Sequence, residues 1–201
     1  MNKYELLQDD KIEVSGRTLY RIRALKDFKG AKAGDLGGYI EKEKNLSQED
    51  NCWVCGNARV CDNARVCDNA YVYDNARVCD NAYVYDNAHV CGDACVCGNA
   101  RVFGEAYVCG NARICGNAYV YGDAKINKIS DVLCISPIGS RNDTTTFFKT
   151  KDGNICVKCG CFSGTIDRFL EAVSETHKDN KHAKAYRLAC ELAKIQIELE
   201  D

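Results

Sequence analysis

Few residues in this chain are of a type and spacing that could do chemistry. There are three histidines, His89, His177 and His182. An imidazole acts as a general base only when it is held against the proton it takes. His89 lies in the repetitive middle of the chain and is the sole catalytic candidate. His177 and His182 fall on or between two helical patterns near the end, where a solvated face is expected. Cys156, Cys159 and Cys161 form C-x2-C-x-C. Zinc needs four converging ligands. On a strand, Cys159 and Cys161 share a face and Cys156 points away, so the fourth ligand would be as distant as Cys190. Packing in a hairpin is the simpler reading, and neither a metal site nor a cofactor is expected. No phosphate loop, nucleotide fingerprint or Ser/His/Asp order is present.

Arginine is the remaining chemistry. Arg59, Arg77 and Arg113 lie at multiples of eighteen residues, as do Arg65 and Arg101, the latter alternating with Tyr83 and Tyr119. Guanidinium groups in a row bind anions through charge-assisted hydrogen bonds, and beside tyrosine rings they stack. A second basic cluster, Arg17, Arg21, Arg23, Lys26, Lys29 and Lys32, could hold a small anionic ligand or be a solvated surface balanced by nearby acids.

These residues are positioned by a repeat. From Val54 the chain reads VCGNAR, VCDNAR, VCDNAY, VYDNAR, and so on to Val132, thirteen hexads without an insertion. A helix would scatter successive valines around its axis, since each residue turns about 100°. A strand keeps them on one face, because six is a multiple of two. Ala58 and Val60 then point inward and Arg59 outward. The Gly-Asn, Asp-Asn and Gly-Asp pairs break each strand, as those residues tolerate left-handed backbone angles. Three sides make one coil of eighteen residues, rising about 4.8 Å.

The hexads resemble those of the hexapeptide-repeat family, although here Gly or Asp stands two places after the aliphatic residue. More closely, the chain is similar to phage and prophage proteins with Gly-Asn-Ala hexads. That likeness extends to Thr18–Phe28 (TLYRIRALKDF), Ala33–Ile40, Asn45–Val54 and Cys159–Thr165. The resemblance implies a mainly β fold, a left-handed parallel β-helix. It also implies one activity to weigh. Many members are acyl-CoA-dependent acyltransferases with a histidine base, which here would be His89. No loop interrupts the hexads to build a pocket for it.

At coil spacing, three columns follow the valines: Cys61, Cys79, Cys97, Cys115; Cys67, Tyr85, Phe103, Tyr121; and Cys55, Tyr73, Cys91, Cys109. Such columns stabilise by stacking or contact another copy. Cys67, Tyr85, Phe103, Tyr121 and Tyr186 are the expected oligomer contacts. The fifteen cysteines read mostly as reduced, apolar side chains; the all-Cys column brings Cα atoms near disulfide range, but its in-register parallel geometry is poor for bridging.

The net charge of −2 makes nucleic acid an improbable partner. The start MNKYELLQDD lacks the apolar run of a signal peptide, and no eighteen-residue apolar segment suggests a membrane span. A cytoplasmic protein is expected, in the host cell if phage-encoded. The expected organisation is an N-terminal β cap over 1–21, a solenoid over 22–138 with regular hexads over 54–131, and a C-terminal ββαα unit over 139–201. That last unit is a hairpin turning at Asp152-Gly153 followed by two helices. The expected function is non-catalytic: an oligomeric accessory protein that engages a host protein or sequesters a nucleotide-like anion. The alternatives are the acyltransferase and a purely structural rod. Expected ligand contacts are Arg59, Arg77 and Arg113; Arg65, Tyr83, Arg101 and Tyr119; and Arg21 and Arg23.

Overall fold

A computed structural model describes residues 2–199; Met1, Glu200 and Asp201, at the outer ends of the expected caps, lie outside the described residues. Two-residue strands recur at every sixth position from Trp53–Val54 to Lys125–Ile126. They stack into three parallel faces. On the first face, Tyr39–Ile40 is followed by Arg59–Val60, Arg77–Val78, Cys95–Val96 and Arg113–Ile114. The second face runs from Trp53–Val54 through Tyr71–Val72, His89–Val90 and Tyr107–Val108 to Lys125–Ile126. The third face runs from Arg65–Val66 through Tyr83–Val84 and Arg101–Val102 to Tyr119–Val120, with Leu46 bridged to its first strand. The chain is therefore mainly β, a parallel β-solenoid.

The repeat explains the geometry. Every hexad alanine from Ala58 to Ala118 and every hexad aliphatic residue from Val54 to Ile126 is at most 1 % exposed, so the axis is filled by Val and Ala. Backbone amides donate from coil to coil, as Arg59 N does to Ala76 O (2.9 Å) and Cys61 N to Val78 O (3.1 Å). The corners sit in the left-handed region. Asp62, Asp68, Asp74, Asp80 and Asp86 have φ of 56–60°, and glycine takes over from Gly92 onward. At Gly98 (φ 69°) a Cβ would come within 2.8 Å of Gly116 N, so the close approach of coils also asks for glycine there.

Both open ends are covered, as a solenoid requires. At the start, β1 (Tyr4–Val14) and β2 (Arg17–Ala24) form a hairpin turning at Ser15-Gly16. It pairs with β3 (Leu36–Ile40), whose end opens the first face. Tyr4, Phe28 and Trp53 close that end with edge-on ring contacts. Tyr4 Oη donates to Leu46 O (2.8 Å), and buried Lys3 Nζ donates to Asp50 O and Cys52 O.

At the far end, the expected hairpin is the centre of a four-stranded antiparallel sheet. Its strands are β4 (Val132–Ile138), β5 (Asp143–Lys149), β6 (Ile155–Cys159) and β7 (Phe162–Thr165). Strand alternation splits two adjacent phenylalanines. Phe148 joins the solenoid core, and Phe147 faces the helices α1 (Ile166–His177) and α2 (Lys181–Gln196). The Asn180 side chain caps α2 by accepting from His182 N (2.8 Å) and Ala183 N (3.1 Å). No helix among the described residues is long and apolar enough to cross a membrane.

Candidate functional site

A parallel solenoid places like positions of successive coils side by side. On the first face Arg59 lies in register with Arg77, Arg77 with Cys95, and Cys95 with Arg113. The tip of the β1–β2 hairpin stands beside this column, held by an Arg17–Asp62 ion pair (2.5 Å). Together they enclose a groove of about 350 Å³. Its lining includes four arginines, Arg17, Arg59, Arg77 and Arg113, and the carboxylates of Asp62 and Asp80. Both carboxylates have partners: Asp62 takes Arg17 and also accepts from Asp80 N (3.3 Å), and Asp80 accepts from Gly98 N (2.9 Å). Arg59, Arg77 and Arg113 form no ion pair among the described residues.

The groove floor is thiol. A hydrogen bond with Cys61, together with burial, pushes Cys79 up to about 11. Cys95 is raised by its hydrogen bond with Cys79 and by burial. At neutral pH these thiols keep their protons, so arginine dominates the groove's charge. Further along, Cys97 Sγ lies 2.8 Å from Cys115 Sγ.

The third face is dressed differently. The Arg101 guanidinium lies 5.4 Å from the Tyr119 ring, and in-register pairing alternates Arg65, Tyr83, Arg101 and Tyr119. Next to it runs a ladder of stacked rings, Tyr85–Phe103 (4.8 Å) and Phe103–Tyr121 (5.3 Å), that ends edge-on under Phe148. Tyr83 stacks on Tyr85 (4.6 Å), and its hydroxyl meets Cys67 Sγ (3.2 Å). Burial pushes Cys67 up to about 12. Where this face meets the C-terminal sheet, a concavity of about 420 Å³ is lined by Arg101, Tyr119, Asn99, Asn117, Asp143, Thr144, Lys158 and Gly160. Thr144 Oγ1 is buried without a hydrogen-bond partner among the described residues.

On the second face His89 sits between Tyr71 (5.7 Å, stacked) and Tyr107 (6.1 Å), with Tyr73 edge-on. Burial lowers its pKa. This ring column is how the fold uses the one histidine of the repeat. In the neighbouring column Cys91 and Cys109 form a disulfide. The poor bridging geometry was expected of the all-Cys column, and the bridge joins Cys91 to Cys109 in this other one. Coil stacking brings their Cα atoms to 4.6 Å, inside the range a disulfide spans.

A family model described as the YdcK Beta solenoid repeat matches residues 76–92. The chain carries a β-solenoid repeat. No curated protein matches it.

The matched stretch of this β-solenoid includes Arg77, Tyr83, Tyr85 and His89, which together sample all three faces. Other expected site residues lie apart from the repeat columns. Arg21 bonds Asp10 (2.9 Å) and Gly37 O (2.8 Å) and lies over the Tyr39 ring (4.2 Å), and Arg23 pairs with Glu5. Arg21 thus ties the hairpin to β3, and Arg23 ties the two strands of the hairpin to each other. Tyr186, expected at an oligomer contact, is 6 % exposed and packs edge-on to Phe169 (5.2 Å). His177 and Tyr186, with Arg141, Cys159, Cys161 and Phe169, are among the residues lining a smaller cavity of about 210 Å³ in the C-terminal unit. Cys156 instead approaches Tyr121 Oη (3.6 Å), and no cluster of three metal-ligating side chains occurs among the described residues.

Sequence reasoning missed the solenoid's polar ladders. Asn63 donates its amide to Asn81, Asn81 to Asn99, and Asn99 to Asn117, at 2.9–3.2 Å. The Asp carboxylates accept from the backbone one coil on, as Asp68 does from Asp86 N (3.1 Å). The signal was available: asparagine recurs at every eighteenth position.

Proposed function

We propose that the first-face groove binds a small anion carrying two or more charges, such as a nucleotide, without catalysing its conversion. The observation that carries this is the arginine column, whose members Arg59, Arg77 and Arg113 form no ion pair among the described residues. Like charges directly opposite one another in a sheet are destabilising, and Arg59 and Arg77 are directly opposite. Neither pairs with a carboxylate, and the groove's four arginines outnumber its two aspartates, Asp62 and Asp80. A phosphate-bearing ligand would neutralise the column through paired charge-assisted bonds, which suit the planar guanidinium. The hairpin tip supplies a wall and Arg17 a further cation. In a phage setting such a protein would serve as an accessory that withdraws a small anion from use.

The engagement of His89 with three tyrosine rings supports packing rather than base catalysis. Titration calorimetry with nucleoside triphosphates and inorganic triphosphate tests the proposal. Binding should weaken with added salt and fall at least tenfold in the triple variant Arg59→Ala, Arg77→Ala, Arg113→Ala, whose changes lie on the surface. An absence of binding by all these probes, or equal binding by the triple variant, would sink it.

A further inference from the structure

Two turns of the C-terminal sheet come to the same end. Residues 139–142 join β4 to β5, and residues 160–161 join β6 to β7. Between these turns and α1 lies the cleft of about 210 Å³. Its inner wall is made of rings in unbroken contact. Phe162 meets Phe169 (5.1 Å), Phe169 meets Tyr186 (5.2 Å) and Tyr186 meets His177 (5.8 Å). Such a wall takes a planar apolar group, because ring contacts add to simple burial. The size suits one ring with a short substituent, since a cavity of about 150 Å³ holds benzene. The mouth carries one group of each sign. Arg141 and Asp143 are the one arginine and the one carboxylate of the lining, and both are exposed. Neither forms an ion pair, with the other or elsewhere, among the described residues. Arg141 leans over the second turn, its Nη1 3.4 Å from where a Cβ on Gly160 would stand. Burial and the bond with Cys159 raise the Tyr186 pKa, and Arg141 and Asp143 act on the same phenol with opposite signs, so both charges stand near the ring wall. Cys159 Sγ donates to Tyr186 Oη (3.5 Å), which leaves the phenol proton for a ligand.

We infer that this cleft binds a free aromatic amino acid, with its ring on the wall of Phe162, Phe169 and Tyr186, its carboxylate on Arg141 and its ammonium on Asp143. A zwitterion is the class that uses both charges of the mouth. An aromatic acid without the amine would set its carboxylate beside Asp143 with nothing to answer it, and an aromatic amine without the acid would do the same to Arg141. Such like-charge contacts select against the wrong partner. The guanidinium fits a carboxylate through paired bonds, and the contacts at both charges are charge-assisted. The inference does not rest on the anion groove, which shares no lining residue with the cleft.

Titration calorimetry of the full chain with L-phenylalanine tests it, beside 3-phenylpropionate, which lacks the ammonium, and phenethylamine, which lacks the carboxylate. Phenylalanine should bind with a dissociation constant on the order of 1 mM or below, as befits a small ligand in an open cleft. It should bind roughly tenfold or more tighter than either analogue, the effect of one hydrogen-bonded charge. Arg141→Ala and Asp143→Asn change exposed side chains, and each should weaken phenylalanine by a similar factor. Alkylation locates the site. Bound phenylalanine should slow the reaction of iodoacetamide with exposed Cys161, which lines the cleft, and leave exposed Cys115 of the first face unaffected. No binding of phenylalanine, equal binding of either analogue, undiminished binding in either variant, or no protection of Cys161 would each overturn the inference.

Discussion

The first and third faces of the solenoid share one backbone and differ in what they carry outside. Both bury the same valines and alanines and use the same left-handed corners. On the third face each arginine stands next to a tyrosine, and the stack satisfies itself. On the first face Arg77 follows Arg59 over protonated thiols, and the groove's two aspartates leave its four arginines in excess. A repeat fixes position, so the occupant of each position can be changed without touching the frame. The difference between faces therefore reports what each surface is for.

The frame itself gives the largest effect. Ile114 is fully buried behind Arg113, and Ile114→Ala should cost about 2–5 kcal/mol in denaturant unfolding. A loss below 1 kcal/mol would mean that the axis is looser than its packing indicates. The corners come next. Asp80 follows a first-face strand and Asp86 a third-face strand, and each accepts from a backbone amide one coil on. Asp80→Ala and Asp86→Ala should each cost about 1.5–3 kcal/mol, the range for hydrogen bonds to charged groups. Unequal losses would show that the two faces differ in frame as well as in dressing.

The arginines should then separate in sign. Arg101→Ala removes a guanidinium from the Tyr119 ring and should lower stability by about 0.5–1 kcal/mol. Arg77→Ala removes a like-charge neighbour from Arg59 and should raise the stability of the ligand-free protein by about 0.2–1 kcal/mol. Thermal unfolding in low salt reads both, and the same sign for both would erase the contrast. A further effect is alkaline. The thiol of Cys79 titrates near 9.0 when unfolded and at about 11 when folded. Its contribution is complete below pH 9 and is lost as pH rises to about 11, because only the unfolded chain releases the proton in that window. Cys79→Ala should flatten that part of the stability–pH curve.

Much of the frame was legible in the sequence. Six-residue spacing of valine, alanine two places before the next valine, and Gly or Asp at the break specify strand, core and corner together. The arginine columns followed from counting by eighteen. The groove did not, because its wall is the Ser15-Gly16 hairpin tip folded back over the first face, a contact between residues such as Arg17 and Asp62 that no local pattern joins. The C-terminal sheet was half visible. Val132–Ile138 reads as a fading hexad, yet it pairs antiparallel with Asp143–Lys149 once the Gly/Asp corner is missing. The exposed side of α2, with Leu188, Leu192 and Ile195, was not legible, because the helical pattern shows which residues are apolar and not which side the sheet covers.

A crystal structure grown with inorganic triphosphate would test the central claim most directly. The account predicts density for the anion in the first-face groove, bridging Arg59 and Arg77 within hydrogen-bond distance of both. An empty groove, or an anion held only by Arg101 and Lys158 at the junction with the C-terminal sheet, would contradict it.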